Sequence, residues 1–308
     1  MKGSRALGKI LLPQPVKDGN DMETILDRLV AEAKKHHPNL AFRILEVGAL
    51  DVGEKEGFYR VLSDFPGSKI FGFEVDEKVC DEMNARAPDG LRYFPSALGS
   101  TEETRPFFVT NHPMCSSLYE PNEAYLRLFH NLEVAYTKNK SELDTQSVDK
   151  FLELNALPNI DFMKIDIQGA ELDVFKGAKS ALESVLMLVT EVEFVRLYKD
   201  QPLFGDVCQH LEKHGLEFHK FLGLAGRTLR PIVMNNNKNH ASQHMWSDAV
   251  FVKNILNVES HSSEELFKLS YLAAIYGSLD FSFFFLRQHD LSYGTQAVNA
   301  FQLQNPAS

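Results

Sequence analysis

The spacing of apolar side chains divides this chain into alternating strand-like and helix-like stretches. Residues 43–47, 70–75, 91–94, 162–167 and 185–194 are short runs rich in Ile, Val, Leu and Phe, apolar at successive positions rather than at every second one. A strand that is apolar on both faces is one that helices cover from both sides, so these runs predict a parallel sheet. Met22, Ile25, Leu26, Leu29, Val30 and Ala33 fall on one helical stripe that ends near Lys35, and Asn20 and Glu23 have the spacing of a capping box at its start. A second stripe of Ala170, Val174, Phe175, Ala178, Ala181, Leu182 and Val185 predicts a helix over 170–183. Weaker patterns predict helices from about Glu54 and over 77–87, 123–132, 147–154 and 204–214, with further strands over 105–110, 216–222 and 249–252. Strands alternating with helices describe an α/β domain.

Three parts follow from this reading. Residues 1–40 are a lead-in, Pro- and Gly-punctuated up to about residue 19 and helical after it; residues 41–254 carry the strands; residues 255–308 hold a helical extension. In that extension the run 281–286 is too apolar to stand in water, so it is expected to pack on the domain or on a second copy of the chain, a route to a homo-oligomer. Residues 227–243, with Asn235, Asn236 and Asn237, form a polar stretch expected to be a mobile loop.

The predicted strands share one feature at their carboxyl ends, which is an acid. Glu46, Glu74 with Asp76, Asp166, and Glu191 with Glu193 all stand there. Ligands of open parallel sheets bind beyond the carboxyl ends of the strands, so these residues describe an acidic rim on the binding edge. Glu46 leads into Gly48, Ala49 and Gly53, and glycines after a strand let backbone approach a ligand closely, though the spacing is not that of a dinucleotide fingerprint. Glu74 is placed to accept from both hydroxyls of a ribose, or else to cap the helix that starts near residue 77. Ser96 and Ala97 form another strand-end turn. Asp166 is followed by Gln168 and Gly169 and either faces a ligand or simply starts a turn. The polar loop 115–122, with Ser116 and Ser117, is either a substrate contact or an ordinary surface loop.

Composition narrows the ligand. The 308 residues carry a formal charge of −10, which disfavours nucleic acid and anionic membrane as partners and suits a cationic or neutral ligand. Three cysteines, Cys80, Cys115 and Cys208, form neither a zinc pattern nor a disulfide framework and fit a reducing, cytoplasmic setting. The apolar run after Lys2, Arg5 and Lys9 is cut by Pro13 and Pro15, too short for a signal peptide, and no run reaches membrane-spanning length. His36 and His37 have no partner at metal-ligand spacing.

Four segments together resemble FkbM-type methyltransferases. They are the stretch Asp161-Phe-Met-Lys-Ile-Asp-Ile-Gln-Gly-Ala-Glu-Leu-Asp-Val-Phe-Lys-Gly-Ala, the loop 115–122, the stretch 191–204, and the closing Trp246-Ser-Asp-Ala-Val-Phe-Val; the resemblance covers roughly residues 43–253. It implies a class I methyltransferase fold, Rossmann-like, with a seven-stranded mostly parallel sheet, helices on both faces and one reversed strand near the end. It implies S-adenosylmethionine as cofactor. Glu46, Gly48 and Ala49 would then form the first cofactor motif, Glu74 the ribose acceptor, Ser96 and Ala97 the adenine-side turn, and Asp166 with Gln168 the contact to the amino-acid part of the cofactor. Ser116, Ser117 and Glu193 would meet the substrate. The first motif departs from the family's usual Asp-x-Gly-Ala-Asn-x-Gly, since Glu46-Val-Gly-Ala-Leu-Asp-Val-Gly lacks the Asn and sets its second Gly one residue later.

Chemistry agrees with that resemblance. A sulfonium loses its charge as its methyl leaves, so an acidic rim can bind the cation while the site aligns acceptor oxygen, methyl carbon and sulfur. A hydroxyl acceptor, on a small molecule or a sugar, calls for a general base, for which Asp166 and Glu191 are the candidates ahead of His112 and His219. Magnesium held by Asp166 and Glu191 is an alternative to the base, but strand-end acids do not by themselves make a metal site, and none is expected. Two other readings remain: an NAD-linked oxidoreductase, against which the missing third glycine counts, and a non-catalytic binding or assembly module that keeps the fold.

Overall fold

The computed structural model describes residues 19–49, 57–157, 159–240 and 243–301. The lead-in 1–18, the side chain of Asn20, and the rest of the first motif with Asp51, Gly53 and the start of the helix expected from Glu54 lie outside the described residues; its continuation is a 3-10 turn over Gly57–Arg60 and a short helix over Val61–Asp64. The strands are β1 (Arg43–Val47), β2 (Lys69–Glu74), β3 (Leu91–Pro95), β4 (Ala97–Leu98), β5 (Glu103–Thr110), β6 (Thr137–Gln146), β7 (Phe162–Ile165), β8 (Met187–Glu193), β9 (Leu216–Phe221) and β10 (Trp246–Lys253). The helices are α1 (Gly19–His36), α2 (Val61–Asp64), α3 (Glu77–Asn84), α4 (Glu123–Leu126), α5 (Val148–Leu154), α6 (Glu171–Lys176), α7 (Lys179–Ser184), α8 (Phe204–Glu212), α9 (Ser263–Ile275) and α10 (Leu279–Tyr293).

Seven strands pair in the order β3-β2-β1-β7-β8-β10-β9. All neighbours are parallel except β10, which runs antiparallel to both β8 and β9. That order, with its one reversed strand, is the class I methyltransferase sheet. The chain starts in the middle at β1, moves outward to β3, then returns to β7 on the other side, so the strand order switches between β1 and β7. A ligand crevice forms at such a switch point. The strands are buried on both faces, as their continuous apolar runs require: Ile44, Leu45, Phe162, Met163, Ile165, Leu188 and Val189 are all fully enclosed.

A second, three-stranded sheet, β4-β6-β5, stands on the binding edge. β5 was expected from its apolar residues; β6, Thr-Lys-Asn-Lys-Ser-Glu-Leu-Asp-Thr-Gln, has no strand-like pattern because most of its side chains are exposed, and pairing with β5 along eight residues holds it extended.

Two helices differ from expectation. The expected helix 123–132 stops at Leu126; Asn131 takes a left-handed φ of +60°, and Phe129 and Leu132 turn into a small apolar cluster with Leu197, Tyr198 and Met245. The expected single helix 170–183 is two, α6 and α7, broken at Gly177 and Ala178. Asp149 of α5 breaks the ladder there: its N–H donates to the Gly177 carbonyl at 3.0 Å and its carboxylate accepts the N–H groups of Ser180 and Ala181 at 2.9 and 3.0 Å, capping α7.

The described residues divide into two compact units, one with both sheets drawn from 41–62 and 67–256, and one drawn from 19–40, 63–66 and 257–301. In the helical unit Ile25, Leu29 and Ala33 of α1 are buried as the stripe predicted, α9 begins with a Ser262/Glu265 capping box, and the hydroxyls of Ser270 and Ser282 join α9 to α10 at 2.9 Å. Phe285 and Leu286 of the apolar run are buried, and Phe283 meets Phe301 edge-on at 5.5 Å. No helix among the described residues is long and apolar enough to cross a membrane.

Candidate active site

Because β1, β2 and β7 are parallel and in register, Gly48, Glu74 and Asp166 leave the sheet on one edge. Between them lies a cleft of about 350 Å3, the size of a small-molecule site. Gly48 has φ +82°, and a Cβ placed on it would fall 1.9 Å from the carbonyl oxygen of Asp166, so glycine alone lets the two strand ends close into a cradle. Glu74 is buried in the cleft wall. Its Oε1 accepts the N–H of Asp76 at 3.0 Å, while Asp76 itself caps α3 by accepting from Lys78 and Val79 at 2.9 and 3.2 Å. Capping therefore falls to Asp76, and Glu74 is left for the cleft. Burial raises the pKa of the Glu74 carboxyl, opposed by the N–H groups of Asp76 and Val75. Ser96 and Ala97 line the cleft beside apolar Phe73, Leu98, Phe107, Val109 and Leu143. The Ser96 hydroxyl is held by Gln146, whose Nε2 donates to it at 2.6 Å.

Next to the cleft, burial gathers acids. Gln168, in the left-handed region at φ +59°, donates its Nε2 to Asp166 at 2.9 Å and to Glu191 at 2.6 Å. Such a conformation in a non-glycine residue is held only where its surroundings over-determine it, and it clusters at functional sites. Glu171, the first residue of α6, is buried and accepts the N–H groups of Ile167 at 2.9 Å and Gly169 at 3.2 Å. Carboxylate oxygens of Asp166, Glu171 and Glu191 lie within 4.8 Å of one another. Oxygens so placed match the donors of a divalent cation site, but here two backbone N–H groups and the Gln168 amide already point at them. Desolvation, followed by repulsion from Asp166, holds Glu191 protonated well above the usual carboxylate range; desolvation followed by Glu171 does the same to Glu193. Burial lifts Glu171 to about 7 against the pull of its N–H partners. Lys164 lies beneath the group, its Nζ 2.9 Å from Asp248 and 3.6 Å from Asp166.

The polar loop 115–122 is fastened to this centre. The Ser117 hydroxyl donates to the Gln168 carbonyl at 2.7 Å and accepts the N–H of Tyr119 at 2.9 Å; the Ser116 hydroxyl accepts the N–H of Thr110 at 3.2 Å. Tyr119 and Arg105 both hold Asp173 of α6, at 2.9 and 2.6 Å. The Tyr198 hydroxyl reaches the Cys115 carbonyl at 2.9 Å and Gln168 Oε1 at 3.3 Å.

Residues 46–218, which contain this entire cleft, match the methyltransferase FkbM domain. The chain belongs to the FkbM methyltransferase family. One curated relative of this FkbM chain is the 2-O-methyltransferase NoeI of Sinorhizobium fredii (strain NBRC 101917 / NGR234), 25% identical over 170 residues; the alignment covers 51% of this chain and 66% of that one, just short of two thirds of the relative's length. Among solved structures, a putative methyltransferase from Thermoplasma acidophilum aligns at 11% identity over 70% of this chain and 69% of that one, with a TM-score of 0.29. A SAM-dependent methyltransferase from Aquifex aeolicus aligns at 11% identity over 76% of this chain and 99% of that one, with a TM-score of 0.28. The strand order, rather than these loose superpositions, identifies the fold.

In this FkbM chain, Gly48, Glu74, Ser96, Ala97, Ser116, Ser117, Asp166 and Gln168 line one cleft. Glu191 joins it through Gln168, and Glu193 is buried two residues further along β8, opposite Trp246. Glu46 and Ala49 stand behind the lining: Glu46 takes the hydroxyl of Tyr59, which lies 3.3 Å from that of Tyr93, and Ala49 is enclosed beside Gly72. His112 caps a turn through Met114, and His219 sits on β9 at the sheet's far edge. Sequence reasoning missed Glu171 and Tyr198, and missed the apolar roof from β5 and β6. Glu171 had a signal: an acid directly after a Gly-Ala turn sits where it can turn back and accept the turn's own N–H groups.

Proposed function

We propose that this chain is an S-adenosylmethionine-dependent O-methyltransferase acting on a hydroxyl of a small molecule or sugar. The observation that carries the reading is the convergence of Gly48, Glu74, Ser96, Asp166 and Gln168 on one cleft at the strand-order switch. Two features fit the cofactor: a cradle that a single Cβ would fill, and a buried acid aimed at the cleft where a ribose needs an acceptor. The cofactor supplies an electrophilic methyl on a cationic sulfur. Glu74 binds, accepting from ribose hydroxyls; the apolar slot at Ser96 and Ala97 takes the adenine; Asp166 and Gln168 face the amino-acid end. The name of the relative, a 2-O-methyltransferase, supports oxygen as the acceptor atom.

Proton handling falls to the acids beside the cleft. Glu191 is the proposed general base, because its raised proton affinity favours taking a hydroxyl proton and Gln168 orients it beside Asp166. Taking that proton neutralises Glu191 and relieves its repulsion with Asp166, while Lys164 beneath them offsets the negative charge held before the step. Ser116 and Ser117 edge the acceptor side. Unpaired Cys80, Cys115 and Cys208 fit a reducing compartment such as the cytoplasm. Separate calorimetric titrations with S-adenosylmethionine and NAD test the reading: binding of the first alone supports it, and binding of NAD alone, or of neither, removes it.

A further inference from the structure

We infer that Arg227 binds an anionic group on the acceptor, a carboxylate or a phosphoryl, and so selects hydroxylated substrates that carry one. The word acceptor here rests on the methyl-transfer reading; the anion site itself does not. Arg227 lies in the segment before β10, where Ala225 and Trp246 form an isolated antiparallel bridge, closed by the N–H of Ala225 to the Trp246 carbonyl at 2.9 Å. The bridge sets the guanidinium over the indole of Trp246, 4.8 Å from the ring centroid.

The guanidinium is left incomplete there. One terminal nitrogen donates to the carbonyl of adjacent Gly226 at 2.8 Å, while Nε is buried with no partner. Among the described residues no carboxylate pairs with it, in a chain of net charge −10 where Arg105, Arg127 and Arg230 each take one. Burial pulls the Arg227 pKa down, with only the Cys115 thiol acting against that. A buried donor left unpaired is costly, so an arginine Nε kept so beside a site calls for a partner from outside the chain, a water, an ion or a ligand. Arginine's planar fork matches a carboxylate or phosphoryl with two parallel hydrogen bonds.

Its place is the acceptor side of the site. Cys115 and Trp246 pack against the same apolar cluster, so the guanidinium stacked on Trp246 stands on the Cys115 side of the site. Cys115 directly precedes Ser116 and Ser117 of the cleft, and its carbonyl takes the Tyr198 hydroxyl that reaches Gln168. Trp246 stands opposite Glu193 in the β8–β10 register. Glu74, the ribose candidate, is on β2, on the other side of the switch point.

Trp246 is the chain's sole tryptophan, so its emission reports on the group stacked over it. The test titrates the full chain with D-glucuronate, glucose 1-phosphate and D-glucose, with and without S-adenosylhomocysteine. At least one of the two anionic sugars should change the emission saturably while glucose does not, glucuronate marking a carboxylate site and glucose 1-phosphate a phosphoryl site. Arg227→Gln should weaken that response by about tenfold or more, Arg227→Lys should restore part of it, and the calorimetric affinity for S-adenosylhomocysteine should stay unchanged in both. The proposal is overturned if glucose matches the anionic sugars, if neither anionic sugar saturates, or if Arg227→Gln leaves their response intact. It is overturned as well if Arg227→Gln, folded by circular dichroism, loses S-adenosylhomocysteine binding, which would assign the arginine to the cofactor's carboxylate. A wild-type chain that binds no S-adenosylhomocysteine removes the methyl-transfer reading alone, since the sugar titrations without it still decide the anion site.

Discussion

The carbonyl oxygen of Asp166 occupies the space that a Cβ on Gly48 would need, 1.9 Å from where that atom would stand. Two strand ends far apart in sequence thus close to backbone contact at this point of the cleft. Backbone at this point brings N–H and C=O groups to a ligand without the bulk of a side chain.

Gly48→Ala should therefore damage both the fold and the site. The left-handed φ alone costs about 1–2 kcal/mol for a residue with a Cβ, before the overlap with Asp166 is relieved. A thermal melt should show the loss of stability, and calorimetry a weakened affinity for S-adenosylmethionine. A variant that matched wild type in both would remove Gly48 from the cradle.

Glu74→Ala makes a cleaner test of cofactor binding, because Asp76 rather than Glu74 caps α3. The fold should hold while affinity for S-adenosylmethionine falls by about 1–3 kcal/mol, the value of charge-assisted hydrogen bonds to the ribose. An unchanged dissociation constant would take Glu74 out of the site.

How much of this was legible beforehand depended on the range of the interactions involved. Ile44, Leu45, Met163 and Leu188 announced buried strands because a strand covered on both faces must be apolar at successive positions. Glu74, Asp166 and Glu191 followed from their strands, since the carboxyl end of a parallel strand is a fixed place in the fold. What escaped was set by contacts distant in sequence. The break at Gly177 comes from Asp149, which takes the Gly177 carbonyl and the N–H groups of Ser180 and Ala181, β6 is a strand only because β5 pairs with it, and Glu46 faces Tyr59 rather than the cleft lining. No local pattern records those neighbours. The helical unit likewise unites α1 with α9 and α10 from opposite ends of the sequence, which periodicity within each segment could not foretell.

Glu191→Gln separates binding from chemistry. The substitution keeps the shape and removes the base, so S-adenosylmethionine affinity should survive while kcat falls by roughly 10²–10⁴-fold with the acceptor that a screen for methylated metabolites identifies. The wild-type rate should rise with pH along a limb set above the usual carboxylate range, since Glu191 must lose its proton to act and its surroundings hold that proton tightly. A rate already flat from mildly acid pH would mean another group takes the proton.

The acids' partners also bear on metal dependence. Gln168 and two backbone N–H groups already donate to Asp166, Glu171 and Glu191, and a cation placed among those oxygens would have to displace donors. Binding of S-adenosylhomocysteine and the melting temperature should therefore be indifferent to EDTA and to added magnesium. A melting temperature raised by millimolar magnesium and lowered again by EDTA would instead place a cation among the three carboxylates.

Stability should depend on pH through Glu171. Its carboxyl titrates at about 7 in the folded chain and near the ordinary 4.5 once unfolded, because folding buries it. Between those values the folded state binds more protons than the unfolded state, so stability falls as pH rises through the window. The contribution is complete below the unfolded value and is lost as pH passes the folded one. Glu191 and Glu193 shift in the same direction and extend the decline to higher pH. Scanning calorimetry from pH 5 to 8 should show wild type losing melting temperature across this range, and Glu171→Gln, which carries no titrating proton at that position, losing less of it between pH 5 and 7. Parallel curves for the two proteins would mean that the Ile167 and Gly169 N–H groups outweigh burial and keep Glu171 ionised throughout.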